Sequence, residues 1–266
     1  MCYSALVKRD LDYLHKNFGA IVIRHDMDDY GSASMSDPKH FPPLHSRIYP
    51  GHYAPVIIAE KDQKLVQLQR YGAYPHPNIT NPERYTTYNA RRDNLTSRFW
   101  SNAFMQHHGF IVLSGFFEWV EVRDLLKAGV VTLEQIQAEF TRQTEERKAK
   151  ILLAGKPYKP TATELKPTHL RKIIIQFNPD DGSDLIVPVI FSPSGQQNKF
   201  ANGFAIVTDD PPSEIRAAGH DRCPIILQPD ALSVWLHPEH RTTKDLDAVL
   251  AQRQRMTFKH QLPTAA

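Results

Sequence analysis

Cys2 is the residue whose position offers the most unusual chemistry, because removal of Met1 would leave it at the start of the mature chain. It would then carry two nucleophiles, an α-amine and a thiol, whose reference pKa values both lie close enough to neutral pH for reaction. The amine can condense with an aldehyde to an imine, and the thiolate can then close a five-membered thiazolidine ring. A cysteine at position 2 also occurs by chance, so Cys2 alone does not decide the function.

Glu118 is a second candidate, and it lies in the aromatic run Gly115-Phe116-Phe117-Glu118-Trp119. Alternation along a strand predicts that Glu118 shares one face with Phe116 and Val120. If that face is apolar, burial raises the pKa of the carboxyl group toward values that are useful for proton transfer. An ion pair with an arginine and a solvent-facing position at a sheet edge are equally open alternatives.

His220 lies in the segment Gly219-His220-Asp221-Arg222-Cys223-Pro224, between a short predicted helix and an apolar strand. An imidazole at such a boundary is well placed to act as a general acid or base, although a lone histidine is more often simply hydrogen-bonded. Asn89, close to Arg91, has a similar ambiguity. Asparagine is a common turn residue, and its amide can also orient a reacting group.

The positive charge of the chain is concentrated between Arg84 and Trp100, in the sequence RYTTYNARRDNLTSRFW, where four arginines accompany one aspartate. Aromatic residues are interleaved with these arginines, a mixture that binds phosphates and stacks unpaired bases. The alternative is that Phe99 and Trp100 belong to the core face of a helix beginning near Thr96, with the arginines in solvent. Helical spacing favours this second interpretation for the two aromatic residues.

The composition is that of a globular protein. The 266 residues include 41% hydrophobic and 23% charged residues, with a formal net charge of +3, which excludes a disordered or collagen-like chain. No apolar run approaches the roughly 18 residues of a membrane helix. Charged residues from Lys8 to Asp12 argue against an export signal, and two cysteines cannot form a disulfide framework in a chain this long. We therefore expect a cytoplasmic protein.

The first half of the chain is predicted to be rich in strands. A helix over residues 8–18, capped by Gly19, precedes a long polar loop over residues 26–45. Strands follow at residues 54–59 and 65–70, and Gly115 separates two more, at 110–114 and 116–120.

A capping box formed by Thr132 and Gln135 begins a solvated helix in the second half. Strands are expected at residues 172–177, 185–191 and 204–208, and short helices near residues 213, 230–236 and 243–252. This order of elements predicts an α+β fold with a mixed, mostly antiparallel sheet and peripheral helices.

Four ordered motifs together resemble the SOS-response-associated peptidase (SRAP) family. The motifs are Met1-Cys2, Asn89-Ala90-Arg91, Gly115-Phe116-Phe117-Glu118-Trp119, and Thr208 followed by Gly219-His220-Asp221-Arg222-Cys223-Pro224. The resemblance implies a single domain over residues 1–258, with the sheet curled into a pseudo-barrel. A helical insertion at about 121–171 departs from the family pattern, and we expect a loose tail at 259–266. The resemblance also implies an abasic-site processing protein that captures the sugar aldehyde in single-stranded DNA covalently.

The resemblance implies a role for each matching residue. Cys2 looks like the cross-linking nucleophile, Asn89 holds its amine, Glu118 transfers protons, and His220 is the acid or base that assists sugar opening. The residues expected to contact DNA are Arg91, Arg92, Tyr71, Tyr74, Arg84, Thr208 and Arg222. The segment Tyr71-Gly72-Ala73-Tyr74-Pro75 stands where the family has Trp-Gly-Leu-(Ile/Val)-Pro, so base stacking beside the lesion differs here.

Two other functions remain open at this point. Cys2 and His220 are also the groups of an N-terminal cysteine peptidase or amidohydrolase, and the arginine-rich stretch fits a non-catalytic module that binds single-stranded DNA. Weak β-elimination lyase activity would accompany an imine. No glycine-rich phosphate loop and no zinc motif is present in the sequence, so we expect no metal, nucleotide or other cofactor.

Overall fold

The computed structural model describes residues 4–73, 87–129, 131–192, 200 and 202–262. Within these ranges the strands are β1 (Ser4–Val7), β2 (Ala20–Val22), β3 (Arg47–Ile48), β4 (Tyr53–Glu60), β5 (Gln63–Tyr71), β6 (Asn89–Arg91), β7 (His108–Glu121), β8 (Lys172–Pro179), β9 (Leu185–Ser192), β10 (Gly203–Asp209), β11 (Cys223–Pro224) and β12 (Phe258–Gln261). The α-helices are α1 (Leu11–Phe18), α2 (Arg24–Ser36), α3 (Ser101–Gln106), α4 (Val122–Lys127), α5 (Leu133–Leu153), α6 (Ser213–Ala217), α7 (Leu232–Leu236) and α8 (Thr243–Ala251).

The strands form one mixed sheet in which most pairs are antiparallel. Strand β10 pairs with β5, β5 with β4, β4 with β7, β7 with β9, and β9 again with β10, so these strands close into a ring. The parallel pairs in the described part of the chain are β2–β5, β5–β10 and β6–β10. The predicted α+β fold with a mostly antiparallel mixed sheet is confirmed.

Strand β7 is the central element of this sheet. Its first half pairs with β9 and β4, and its second half pairs with β1 and β8. Residues that alternate along it are buried on both faces: Phe116 and Phe117 are 0% and 2% exposed. A strand buried on both faces supplies an interior position for any polar side chain that its sequence carries.

The prediction of two strands separated by Gly115 is wrong, because β7 is one continuous strand of 14 residues. A Cβ atom at Gly115 would lie 2.5 Å from Nδ2 of Asn178 and 2.7 Å from the carbonyl oxygen of Phe177. The glycine therefore allows β8 to approach β7 closely and does not form a turn.

The predicted loop over residues 26–45 is also wrong in its first part, which forms helix α2. Tyr30 anchors this helix: it is 1% exposed, its ring lies 5.0 Å from Tyr53 and 5.2 Å from Phe200, and its hydroxyl donates to the carbonyl of Pro42 at 2.7 Å. A helix held by one buried aromatic side chain has no apolar periodicity for sequence analysis to detect.

Helix α1 begins at Leu11, later than predicted, and the predicted caps at Gly19 of α1 and at the start of α5 are present. Asp10 accepts a hydrogen bond from the Tyr13 amide at 3.0 Å, and Gly19 ends α1 with a φ of 65°. Both reciprocal bonds of the capping box between Thr132 and Gln135 are present at the start of α5. Helices thus occupy much of the segment between β7 and β8, where the insertion is expected.

Residues 259–261 of the expected loose tail belong to β12, which pairs with β8. Phe258 anchors this strand: it is 6% exposed, and its ring lies 5.7 Å from Phe116. Residues 263–266 lie outside the described chain. In the portion that is described, none of the helices combines the length and the apolar character needed to cross a membrane.

Candidate functional site

Glu118 and His220 form the centre of the candidate site. Nε2 of His220 lies 3.1 Å from Oε2 of Glu118, and the two side chains are 10% and 1% exposed. Glu118 occupies the β7 face that it shares with Phe116 and Val120, as the alternation predicts. Of the three environments considered for Glu118, the structure therefore has the interior one, with an imidazole as the ionisable neighbour.

Burial raises the pKa of Glu118, because a carboxylate loses its hydration in the interior, and the hydrogen bond to His220 opposes this rise. Nδ1 of His220 lies 2.9 Å from the carbonyl oxygen of Arg222. When Nδ1 donates to that carbonyl, Nε2 can accept a proton from Glu118. One proton can then move between the carboxyl group and the imidazole without leaving the protein.

The loop after α6 holds the imidazole against Glu118. Gly219 has a φ of +88°, and a Cβ atom there would lie 2.8 Å from Cβ of Asp124 on α4. Beyond His220, Arg222 is 8% exposed and leads directly into β11, which pairs with β10. Close packing on one side and strand pairing on the other fix the position of the ring.

The start of the described chain lies beside Glu118. Strand β1 is flanked by β3 and β7, and Ser4 is opposite Phe117, the residue before Glu118. Cys2, the predicted nucleophile, lies outside the described residues, as do two predicted DNA contacts, Tyr74 and Arg84.

Adjacent strands bring the second and fourth motifs together. In the parallel pair β6–β10, Asn89 lies opposite Ile206 and Arg91 opposite Thr208, and Thr208 also lies opposite Pro224 of β11. Asn89 is 5% exposed and Thr208 is fully buried. The segment containing Asn89 and the segment containing His220 are therefore separated by one strand.

Arg91 and Arg92 have different surroundings. Arg91 is 46% exposed and pairs with Asp93, two residues along the chain, at 2.5 Å. Arg92 is 22% exposed and is held by Asp247 at 2.7 and 2.8 Å and by Asp209 at 3.2 Å. The carboxylates raise the pKa of Arg92 through hydrogen bonds, above all that of Asp247. Arg91 is thus partly exposed and paired within its own segment, whereas Arg92 joins β10 to α8.

The structure corrects the expected DNA contact of Tyr71. This side chain is fully buried, with its ring stacked 5.2 Å from Phe204 and 5.7 Å from Tyr88, so it belongs to the core and offers no face to a base. Trp100 is likewise in the core, as helical spacing predicts, at 5% exposure. The helix itself is α3 and begins later than Thr96, at Ser101.

Two features near the site could not be predicted from the sequence. Arg47 places its guanidinium 3.5 Å from the ring centre of Phe117 and donates from Nε to Oγ of Ser4 at 3.1 Å. A cavity of about 570 Å³ opens beside His220 between α4 and α6 and is lined in part by Lys127 and Arg216. Both features depend on which segments pack together. Among the described residues, no three His, Cys, Asp or Glu side chains are grouped to hold a metal ion.

Comparison with known proteins gives a family match over nearly the whole chain. The model of the SOS response associated peptidase (SRAP) family matches residues 1–262, and no curated protein matches. A structure from Bordetella bronchiseptica has 14% identity and a TM-score of 0.58, with 98% of this chain and 99% of that chain covered.

Two further solved structures are similar at the same level of identity. One from Bacteroides thetaiotaomicron is 14% identical, with a TM-score of 0.59 and coverage of 94% of this chain and 86% of that chain. A phage-related protein from Bordetella bronchiseptica is 14% identical, with a TM-score of 0.54 and coverage of 97% and 92%. At this identity the structures agree in fold.

Proposed function

We propose, because the chain belongs to the SOS response associated peptidase family, that it captures abasic sites in single-stranded DNA covalently. In this proposal Cys2 attacks the aldehyde of the ring-opened sugar and forms a thiazolidine cross-link between protein and DNA. The substrate class is an aldehyde on a flexible, unpaired strand, so no energy is needed to unstack a base from a duplex.

The proposed reaction has three steps: opening of the sugar, formation of an imine and closure of the thiazolidine ring. The closed hemiacetal of the abasic sugar opens when a proton moves from its hydroxyl to the ring oxygen. The neutral amine of Cys2 then adds to the aldehyde carbon, and loss of one water gives an imine. The thiolate adds to the same carbon, the imine nitrogen takes up a proton, and the five-membered ring closes. The imine also permits slow β-elimination of the 3′ phosphate.

The observation that supports this proposal best is the contact between Glu118 and His220 at 3.1 Å in the interior. Sugar opening, water loss and ring closure each need a proton at a defined place and time. Burial raises the pKa of the Glu118 carboxyl group, and an imidazole lies in contact with it. Carboxyl and imidazole groups are the usual general acids and bases of enzymes. In this proposal His220 moves the proton that opens the sugar. Glu118 exchanges protons with the amine and with the departing water.

Covalent connectivity supports the assignment of Cys2. One residue, Tyr3, separates Cys2 from Ser4, so their Cα atoms are at most about 7 Å apart. Ser4 lies opposite Phe117, next to Glu118. Asn89, buried on β6, is proposed to orient the amine, and Arg91 is proposed to bind a backbone phosphate, together with residues of the arginine-rich stretch such as Arg84.

The test is a cross-linking assay on a denaturing gel, with an oligonucleotide that carries one abasic site. We expect wild-type protein to give a band that is larger by one protein mass, and Cys2→Ala to give none. Cys2→Ser keeps the amine and cannot form the sulfur ring, so its imine is stable only after borohydride reduction. An intact oligonucleotide is the matched control. No Cys2-dependent band with the abasic substrate contradicts the proposal.

A peptidase is the second candidate, because the family description names one and because Cys2 and His220 could act as thiol nucleophile and base. Turnover of a peptide library without DNA, lost in Cys2→Ala, would favour it. The same preparations serve both assays. N-terminal mass spectrometry is needed for each, since a retained Met1 blocks the amine chemistry.

A further inference from the structure

Arg47 connects three strands beside the candidate site. It belongs to β3, where it lies opposite Leu6 of β1. Its guanidinium crosses β1, donates from Nε to Oγ of Ser4 at 3.1 Å, and stacks 3.5 Å from the ring centre of Phe117 on β7. Ser4 and Phe117 are themselves opposite each other across β1 and β7. The side chain therefore touches both members of this strand pair.

Both contacts are of a kind that fixes orientation. A guanidinium over a ring is attracted by the π-face, and Phe117 is 2% exposed, so the ring beneath the guanidinium is immobilised in the core. The planar guanidinium donates in fixed directions, which sets where Oγ of Ser4 must lie. Arg47 also lies 5.1 Å from the ring centre of Tyr49, which limits its movement on the other side.

The location of these contacts gives them a functional meaning. Ser4 is the first described residue and follows the proposed nucleophile Cys2 by two positions in the sequence. Phe117 directly precedes the proposed proton donor Glu118. Strand β1 has only four residues, and its pairing with β3 begins at Ala5, whereas Ser4 lies opposite Phe117 of β7. The side chain of Arg47 therefore links Ser4 to β3 and also contacts the residue opposite Ser4 on β7.

We propose that Arg47 is a positioning residue for Cys2, tying the start of β1 to Phe117 so that the N-terminal nucleophile enters the site beside Glu118 and His220. The inference rests on the proposed function. Arg47 acts through Ser4 and Phe117 and has no part in the proton transfers. A small displacement of the reacting amine is costly, since misplacement by about 1 Å can slow a reaction about 100-fold.

The test separates the rate of adduct formation from DNA affinity. We expect Arg47→Met to lower the single-turnover rate at saturating abasic DNA about tenfold or more, with the dissociation constant for intact single-stranded DNA unchanged within about twofold. Arg47→Lys keeps a cation over Phe117 but loses the fixed donor geometry toward Ser4, so its rate should lie between those of Arg47→Met and wild type. Ser4→Ala removes only the hydrogen-bond acceptor, so its rate should fall about threefold.

Arg9→Met is the matched control, because Arg9 is another arginine close to β1 and donates to the carbonyl of Leu44. Its rate should equal that of wild type. Rates are compared at a temperature at which thermal melting shows every variant to be folded. An Arg47→Met protein that reacts at the wild-type rate at saturation overturns the inference, even if it binds DNA more weakly or melts earlier. Wild-type protein that forms no adduct overturns the proposed function itself.

Discussion

Nε2 of His220 is 3.1 Å from Oε2 of Glu118, in a position that solvent hardly reaches. The carboxyl group comes from the central strand β7, and the imidazole comes from a loop about 100 residues later that is fixed by Gly219 and β11. In the proposed reaction these two groups act as one unit, because the protonation state of each determines what the other can do.

We therefore predict that Glu118→Gln and His220→Gln each slow adduct formation about 100-fold or more. The double variant should be little slower than the slower single variant, since either substitution already removes the shared proton path. Single-turnover rates at saturating abasic DNA measure this. Rate losses that multiply in the double variant would show that the two groups act independently.

Glu118→Gln should also raise stability at neutral and alkaline pH. Burial raises the pKa of Glu118 above its ordinary value of 4.5, so the folded protein keeps a proton that the unfolded chain releases. Stability therefore falls as the pH rises from the unfolded pKa to the folded one. Glutamine does not ionise, so the variant does not lose stability in this way as the pH rises. We expect Tm to be at least about 2 °C higher than wild type at pH 8.

The pH dependence supplies the control for this prediction. Near pH 4 and below, the carboxyl group is largely protonated in both folded and unfolded chains, so the advantage of Glu118→Gln should disappear there. Thermal melting from pH 4 to pH 8 tests it. A Tm difference that stays constant over this range would indicate a packing effect and would contradict the assigned cause.

Arg91→Ala and Arg92→Ala should separate DNA binding from stability. Arg91 is exposed, so its loss should weaken binding of single-stranded DNA and reduce the salt-dependence slope by about 1. Arg92 is held by Asp247 and Asp209, and its loss should lower the free energy of unfolding by about 1–3 kcal/mol. Fluorescence anisotropy at several salt concentrations and urea denaturation measure the two effects. Equal salt slopes for Arg91→Ala and wild type would contradict the role assigned to Arg91.

Gly115→Ala should destabilise the sheet, because the new Cβ would meet the carbonyl oxygen of Phe177 at 2.7 Å. We expect a loss of about 1–3 kcal/mol in the free energy of unfolding. Gly31→Ala is the control: Gly31 lies in α2 with open space around its Cα, and alanine is the better helix former, so stability should rise slightly. Equal stabilities for the two variants would contradict the close approach of β8.

Much of this arrangement could be predicted where local sequence decides it. The strand alternation around Glu118, the caps of α1 and α5, and the paired strands β4 and β5 all follow from short-range patterns. The role of Gly115 was not predictable in this way, since a glycine between apolar residues reads equally well as a turn. Its reason for being glycine lies on β8, about 60 residues away.

The contacts within the site were harder to predict than the residues that form it. Glu118 and His220 could each be named from their surroundings in the sequence, but their contact depends on how the loop after α6 packs on β7. Arg47 could not be identified from the sequence, because its contacts with Ser4 and Phe117 join segments that are far apart in the chain. Tyr71 was wrongly assigned to the DNA contacts, because its place in a motif-like segment suggested a role at the surface. Its side chain is buried in the core.

Strand β7 has neighbouring strands on both sides over most of its length, and this affects how the protein unfolds. Regions that open first in native proteins are those with few buried contacts and exposed backbone hydrogen bonds. The amides around Phe116 and Phe117, bonded between β1 and β8, should therefore exchange with deuterium among the slowest in the chain. The carboxyl group of Glu118 would then stay shielded until the whole domain unfolds, and heating should abolish activity and global structure together.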